Sequence, residues 1–176
     1  IHFPSENWAL GQGTNVEGRP FLTLPNGAHL DVTNLRHEGF HIFQYIANSN
    51  GFAYAGDSGW YIESSAQWYA AVSTTQTNIS FLEAGTIPAN PHLALWHREG
   101  REAPGDTNDW MYLTRQYGLH TLLYYLSNYA NVEGLTLTKG FYANTELSPQ
   151  EYLYTNIGPD NFRKYFADWA ARNTGG

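Results

Sequence analysis

Residues 36–45 read Arg36-His37-Glu38-Gly39-Phe40-His41-Ile42-Phe43-Gln44-Tyr45. The stretch contains no proline, and polar residues suited to ending a helix stand on both sides of it. Such residues favour helix ends because their side chains or backbone satisfy the unpaired peptide groups there. The sequence therefore predicts a first helix from Thr33 to Ala47, capped by Asp31, Thr33 or Asn34 and ended by Asn48 to Gly51.

Two faces can be distinguished on this helix at 100° per residue. One narrow apolar stripe is formed by Leu35, Gly39, Ile42 and Ile46. Two imidazoles and an amide lie nearly opposite, from His37, His41 and Gln44. We therefore expect the apolar stripe to face a core and the histidine face to line a polar cleft.

The two histidines carry the chemistry of this segment. Side chains at positions i and i+4 of a helix project from one face, so their ring nitrogens can meet at one ion. Glu38 lies beside the pair, where it can reach a water bound to that ion. Zinc lowers the pKa of such a water to about 7, and the carboxylate accepts its proton. The pattern predicts His37 and His41 as zinc ligands and Glu38 as general base; two histidines on a polar surface are the alternative.

A third ligand is available in a second predicted helix, from Ser58 to Val72, with Asp57 or Ser58 as its cap. Glu63 lies there among tryptophan, tyrosine and isoleucine residues. A carboxylate in such surroundings is costly to bury unless it is paired or bound to a metal. Two His and one Glu with an open position for water form a usual catalytic zinc set. Glu63 is thus the predicted third ligand, and a surface glutamate on an amphipathic helix is the alternative.

These two segments resemble the gluzincin branch of the zinc metallopeptidases, in which a His-Glu-x-x-His helix is followed by a helix with a metal-binding Glu. The resemblance covers residues 33–70 and is closest to a little-characterised bacterial group assigned as secreted peptidases. A weaker similarity continues at Arg115-Gln116-Tyr117-Gly118. The resemblance implies the same three ligands and the same base, and a secreted or cell-surface location.

A zinc hydrolase also needs a donor for the oxyanion that develops in the transition state. Tyr117 is the first candidate because it belongs to the segment with the weaker similarity, and a core tyrosine is the equal alternative. Lesser candidates, each with a structural or surface-loop alternative, are His92, His97, Arg115 and His120. Candidates for orienting the zinc histidines are Asp57, Ser64, Gln67 and Asp109. The cluster Asp106-Thr107-Asn108-Asp109 could bind calcium, although helix capping is the commoner role of such residues.

The rest of the chain predicts a mainly α fold with minor β structure, in one zincin-like catalytic domain over residues 1–176. Residues 1–30 suit loops and one or two short strands, with a hairpin turn at Asn26-Gly27. Prolines and glycines predict a long loop from Thr86 to Asn108. Further helices are predicted from Asp109 to Tyr129 and from Pro159 to Arg172, with a short helical turn after Ser148-Pro149.

The amino-acid composition excludes some classes of partner and of metal ligand. The net charge is −7, with only nine lysines and arginines, so the clustered cations that nucleic acid needs are missing. There is no cysteine, so a metal must be held by His, Asp or Glu. No stretch approaches the roughly 20 apolar residues of a membrane span. Because the chain starts at Ile1, we expect a processed or excised part of a longer protein. We also expect the protein to be a monomer.

Three functions remain open at this point. The first is a zinc peptidase acting on a peptide or protein. The second is a zinc enzyme acting on a polysaccharide, with the abundant aromatic residues as sugar platforms, although core packing is the commoner role of such residues. The third is a non-catalytic zinc-binding module, which is disfavoured because Glu38 has no purpose in a closed structural site.

Overall fold

The computed structural model describes residues 11–23, 31–47, 49–53, 58–74, 81–91, 93–94 and 115–173. Within these ranges, the strands are β1 (Gly11–Thr14) and β2 (Pro20–Thr23), and they are followed by the helices α1 (Val32–Ala47), α2 (Gly59–Ser73), α3 (Phe81–Ala89), α4 (His120–Asn128), α5 (Gly134–Thr138), α6 (Pro149–Ile157) and α7 (Pro159–Asn173). Short 3-10 turns lie at Asn50–Phe52 and Lys139–Tyr142. The prediction of a mainly helical chain with little strand is confirmed. No helix in these ranges is long and apolar enough to cross a membrane.

The two strands form an antiparallel hairpin that packs against α1. Its turn begins at Asn15, whose side-chain oxygen accepts hydrogen bonds from the backbone of Glu17 and Arg19 at 3.0 and 2.9 Å. Gly18 supplies the positive φ of 73° that the turn needs. The hairpin turn predicted at Asn26-Gly27 lies outside the described residues.

Helix α1 begins and ends within one residue of the prediction, and Asp31 is its cap because its carboxylate accepts the Asn34 N–H at 3.0 Å. The predicted orientation of its faces is wrong. The face that bears the histidines is buried, whereas Ile46 of the apolar stripe is 64% exposed. The reason is that α2 packs on the histidine face and meets its polar groups with polar groups of its own, which periodicity alone does not reveal.

Helix α2 is the centre of the core. Ten of its fifteen residues are buried, including Trp60, Tyr61 and Trp68. The Tyr61 hydroxyl donates to the Leu137 carbonyl at 2.7 Å, so its one polar atom is satisfied. Around it, aromatic rings pack edge to face, among them Phe52 and Tyr152 at 5.4 Å between centroids. Many of the abundant aromatic residues therefore serve core packing. The predicted cap Ser58 precedes α2 without capping it, since its hydroxyl donates to the Gly51 carbonyl.

The predicted loop from Thr86 to Asn108 is wrong at its start, because α3 continues through Thr86 to Ala89 with Pro88 inside it. A proline in the last turn removes a single N–H. The guanidinium of Arg115 donates to the Thr86 carbonyl in α3 at 3.4 Å, and to the Asn90 and Leu93 carbonyls after the helix at 3.2 and 2.8 Å. This stabilising partner is distant in sequence, so local proline signals mislead here.

The C-terminal helices agree more closely with the sequence. Residues 115–118 are helical and lead into α4, which ends one residue before the predicted Tyr129, whereas residues 109–114 lie outside the described part. Helix α7 begins at the predicted Pro159 and ends at Asn173. The turn predicted after Ser148 is a full helix, α6, because Glu151 accepts hydrogen bonds from both the backbone and the hydroxyl of Ser148.

The connection between α1 and α2 is fastened to the segment before α6. The Gly51 N–H donates to the Thr145 carbonyl at 2.9 Å, and Ser49 exchanges hydrogen bonds with the backbone of the same residue. A Cβ atom added at Gly51 would lie 2.0 Å from the Leu147 carbonyl oxygen. Only glycine permits this close approach of two backbone segments.

We therefore expect Gly51→Ala to lower the free energy of unfolding by about 1–3 kcal/mol, because the backbone must shift to admit a methyl group. The matched control is Gly85→Ala in α3, where an added Cβ meets nothing within 4 Å. That change should raise the free energy of unfolding by about 0.5–1 kcal/mol through helix propensity. Urea denaturation of both variants measures the difference, and equal effects would contradict the close contact.

Candidate metal centre

His37 and His41 lie one helical turn apart on α1, and their side chains point to the same place. Their Nε2 atoms are 3.1 Å apart, and the two ring planes are nearly perpendicular at 83°. Both residues are buried, at 6% and 2% exposure. The helix alone brings the pair together, as the spacing predicts.

Helix α2 brings Glu63 to the same point. Its Oε2 atom lies 3.2 Å from His37 Nε2 and 3.4 Å from His41 Nε2, and Glu63 is 5% exposed. Three ligand atoms from two helices thus form a nearly equilateral triangle inside the protein. Among the described residues, His37, His41 and Glu63 are the group that could hold a metal ion.

The charges of this group are coupled. Burial raises the pKa of Glu63, but hydrogen bonds from His37 and His41 outweigh burial and hold it at about 2. Burial lowers the pKa of His41, yet the net pKa is raised, chiefly by Glu63 and more weakly by Glu38. The carboxylate is therefore kept ionised in a buried place, where it attracts either protons on the imidazoles or a cation.

Each histidine is oriented by a glutamine through its other ring nitrogen. His37 Nδ1 lies 3.0 Å from Gln67 Oε1, and His41 Nδ1 lies 2.6 Å from Gln44 Oε1. An amide oxygen only accepts, so each Nδ1 carries hydrogen, and each Nε2 is the nitrogen that contacts Glu63 and that could present a lone pair to a metal once it has lost its proton. Gln67 was among the predicted orienting residues. Gln44 was missed in that role, although its position three residues after His41 on the same face was a usable signal.

Other predicted orienting residues do not reach the histidines or lie elsewhere. Ser64 donates its hydroxyl to the Gln116 carbonyl, so it anchors the segment that precedes α4 and does not contact an imidazole ligand. Asp57 and Asp109 lie outside the described residues, as do the proposed calcium cluster 106–109, His92 and His97.

Glu38 is 8% exposed and follows His37 directly on α1. Within the described part of the chain, no hydrogen bond or ion pair engages its carboxylate. Its charge contributes to the raised pKa of His41, so the carboxylate lies near this histidine.

Tyr117 lies next to His37, whereas its role as oxyanion donor stays a prediction. Its ring lies against that of His37, with centroids 5.7 Å apart and planes tilted by 36°. The bond from Ser64 to the neighbouring Gln116 carbonyl links this segment to α2. Tyr117 is half-buried, so part of it faces solvent.

His120 and Arg115 have structural roles here. His120 is almost fully buried, and its Nδ1 donates to the Tyr117 carbonyl at 2.8 Å, while burial lowers its pKa. The guanidinium of Arg115 is occupied at the end of α3. Both therefore support the segment that carries Tyr117 and do not join the metal ligands.

No family model, no curated protein and no solved structure matches this chain. The resemblance to gluzincins thus rests on the motif residues, and the centre has to be understood from its own geometry.

The coupled charges predict how pH changes the stability of the metal-free protein. Glu63 has a pKa below its unfolded value of 4.5, so its contribution is present above pH 4.5 and is lost as the pH falls towards 2. His41 has a pKa above its unfolded value of 6.5, so its contribution is present below pH 6.5 and is lost as the pH rises through the folded value. The pair should stabilise most between pH 4.5 and 6.5.

Thermal unfolding of chelator-treated protein across this range measures the effect, and Glu63→Gln is the reference because it removes the charge at constant size. The difference in melting temperature between wild type and variant should peak inside that window and shrink on both sides. A difference that keeps growing into the alkaline range would contradict the coupling of Glu63 with His41.

Proposed function

We propose that this domain is a zinc-dependent hydrolase with a zincin-like pair of helices, and that it cleaves peptide bonds. The observation that carries the proposal is the convergence of two imidazole nitrogens and one carboxylate oxygen from α1 and α2. Glu38 follows His37 on the same helix, and its charge contributes to the raised pKa of His41. Two histidines and one glutamate are a donor set that catalytic zinc sites use, which supports the proposal.

The triangle of ligand atoms fits a tetrahedral ion. Its edges are 3.1, 3.2 and 3.4 Å. Bonds of about 2.0–2.2 Å in tetrahedral geometry place neighbouring ligand atoms about 3.3–3.6 Å apart. Only small movements of the three side chains are needed, and a fourth position remains for water. The donor set of two imidazoles and one carboxylate is the set that catalytic zinc uses in several hydrolases.

The residues of the chain then have separate tasks. A zinc ion bound at this centre supplies a polarised water of lowered pKa. Glu38 would be the general base for that water and would return the proton to the leaving amine. Tyr117, whose ring lies against His37, is the candidate donor to the oxyanion. Burial of the ligands keeps water away from the metal on the side of the core and strengthens these electrostatic effects.

The choice of a peptide as substrate rests on the resemblance of residues 33–70 to the gluzincin pattern. The same resemblance is the basis for a secreted or cell-surface location. The metal centre itself is compatible with hydrolysis of other bonds, so the substrate class is decided by assay.

We expect wild-type protein to hydrolyse casein, chelator to abolish this activity, and zinc to restore it. Glu38→Gln should keep zinc and the fold but lose activity by at least about 10²-fold, because an amide cannot accept the proton of water. The matched control is Glu17→Gln on the exposed hairpin turn, which should retain full activity. Metal content and turnover are measured on all three proteins, and full activity of Glu38→Gln would show that another group is the base.

The same preparations are assayed with polysaccharides. If the protein cleaves a polysaccharide in a zinc-dependent way but does not cleave casein, the proposed metal and base would stand, and the proposed peptide substrate would be wrong. A protein that retains zinc but cleaves neither substrate would be a binding module, and the hydrolase proposal would be wrong.

A further inference from the structure

We infer that Gln44 is a positioning residue that fixes which nitrogen of His41 faces the metal, using a backbone carbonyl of α2 as its reference. The inference rests on the metal centre of the proposed function. Gln44 neither binds the metal nor touches the reacting atoms. Its role is to couple the packing of α1 on α2 to metal binding.

The direction of the hydrogen bonds is set by the Ile62 carbonyl, which can only accept. Gln44 Nε2 donates to this oxygen at 2.9 Å, so the oxygen of the same amide must point the other way. That oxygen lies 2.6 Å from His41 Nδ1. Nδ1 therefore carries a hydrogen, which leaves Nε2 as the nitrogen that can bind a metal.

Ser65 holds the amide from a second side. Its hydroxyl donates to the Tyr61 carbonyl at 2.6 Å, so towards Gln44 its oxygen accepts, at 2.9 Å. Gln44 is 7% exposed and Ser65 is fully buried. Rotating the amide by half a turn would set its oxygen against the Ile62 carbonyl and its NH2 group against the Nδ1–H. Both contacts would leave buried polar groups unpaired, at about 1–3 kcal/mol each.

The reference carbonyl belongs to the residue just before Glu63. One turn of α2 thus carries Glu63, the third candidate ligand. Through Gln44, the same turn determines which ring nitrogen of His41 carries hydrogen. The centre is complete only when α1 and α2 are in register. Because the orienting group is a neutral amide, it adds no charge, and a divalent ion held by two neutral imidazoles and one carboxylate keeps a net charge of +1.

Gln67 provides an internal comparison. It contacts His37 Nδ1 at 3.0 Å, but within the described ranges its amide nitrogen has no hydrogen-bond partner, and it is only half-buried. A glutamate at position 67 would still accept a hydrogen bond from His37 Nδ1, and no other hydrogen bond of this side chain would be lost. A carboxylate at position 44 would set an oxygen against the Ile62 carbonyl.

The test compares Gln44→Met, Gln44→Glu and Gln67→Glu with wild type. Zinc affinity is measured by competition with a chromogenic chelator. Both Gln44 variants should bind zinc about 10–100-fold more weakly, the range found when groups that orient metal ligands are removed. Gln67→Glu should stay within a few-fold of wild type or bind more tightly.

A second readout follows the ring itself. In zinc-loaded protein, the Nδ1–H protons of both histidines should give slowly exchanging signals in NMR spectra. Gln44→Met should lose the His41 signal and keep the His37 signal. A general loss of packing would weaken both signals together, so this pattern separates positioning from a structural effect.

Wild-type zinc affinity in Gln44→Met with the His41 signal retained would overturn the inference. Circular dichroism shows whether the methionine variant folds; if it does not, Gln44→Glu, which keeps size and polarity, decides the matter, and its binding of zinc as tightly as Gln67→Glu would also overturn it. Neither readout uses turnover, so an inactive but zinc-binding wild type would end the hydrolase proposal and leave this inference to its own result.

Discussion

The polar contact between α1 and α2 is the constraint on which the rest of the structure depends. It buries two imidazoles, a carboxylate and an amide, which would each be costly alone. They are tolerable because Glu63 pairs with both histidines and Gln44 binds the Ile62 carbonyl. The other faces of α2 carry apolar and aromatic residues, such as Trp60, Tyr61 and Trp68, which are buried in the aromatic core.

The same contact also positions residues that are distant in sequence near the candidate metal centre. Ser64, next to the third ligand, donates to the Gln116 carbonyl and so fixes the segment that carries Tyr117. Arg115 ties that segment to the end of α3. The candidate ligands and the Tyr117 segment are therefore supported by α2, and this support favours the exact placement that the proposed hydrolytic centre would require.

Sequence reasoning predicted the two helices of the centre and the three residues that could ligate a metal, because a turn of helix brings His37 and His41 together and a carboxylate among aromatics demands a partner. It predicted the wrong buried face of α1, because periodicity locates apolar residues and gives no information on whether a polar face is buried against polar groups. It also missed the task of Gln44, which is defined by a carbonyl eighteen residues away, and the end of α3, which is stabilised by Arg115. These failures have one cause: the deciding partner is distant in sequence.

A crystal structure of the zinc-loaded protein, with anomalous diffraction recorded at the zinc absorption edge, tests the central claim most directly. The account predicts one strong anomalous peak bound by His37 Nε2, His41 Nε2 and a Glu63 oxygen at about 2.0–2.2 Å, with Gln44 Oε1 on the far side of His41. No ordered zinc between these residues, or a zinc completed by His92 or His97 with Glu63 turned to solvent, would contradict it.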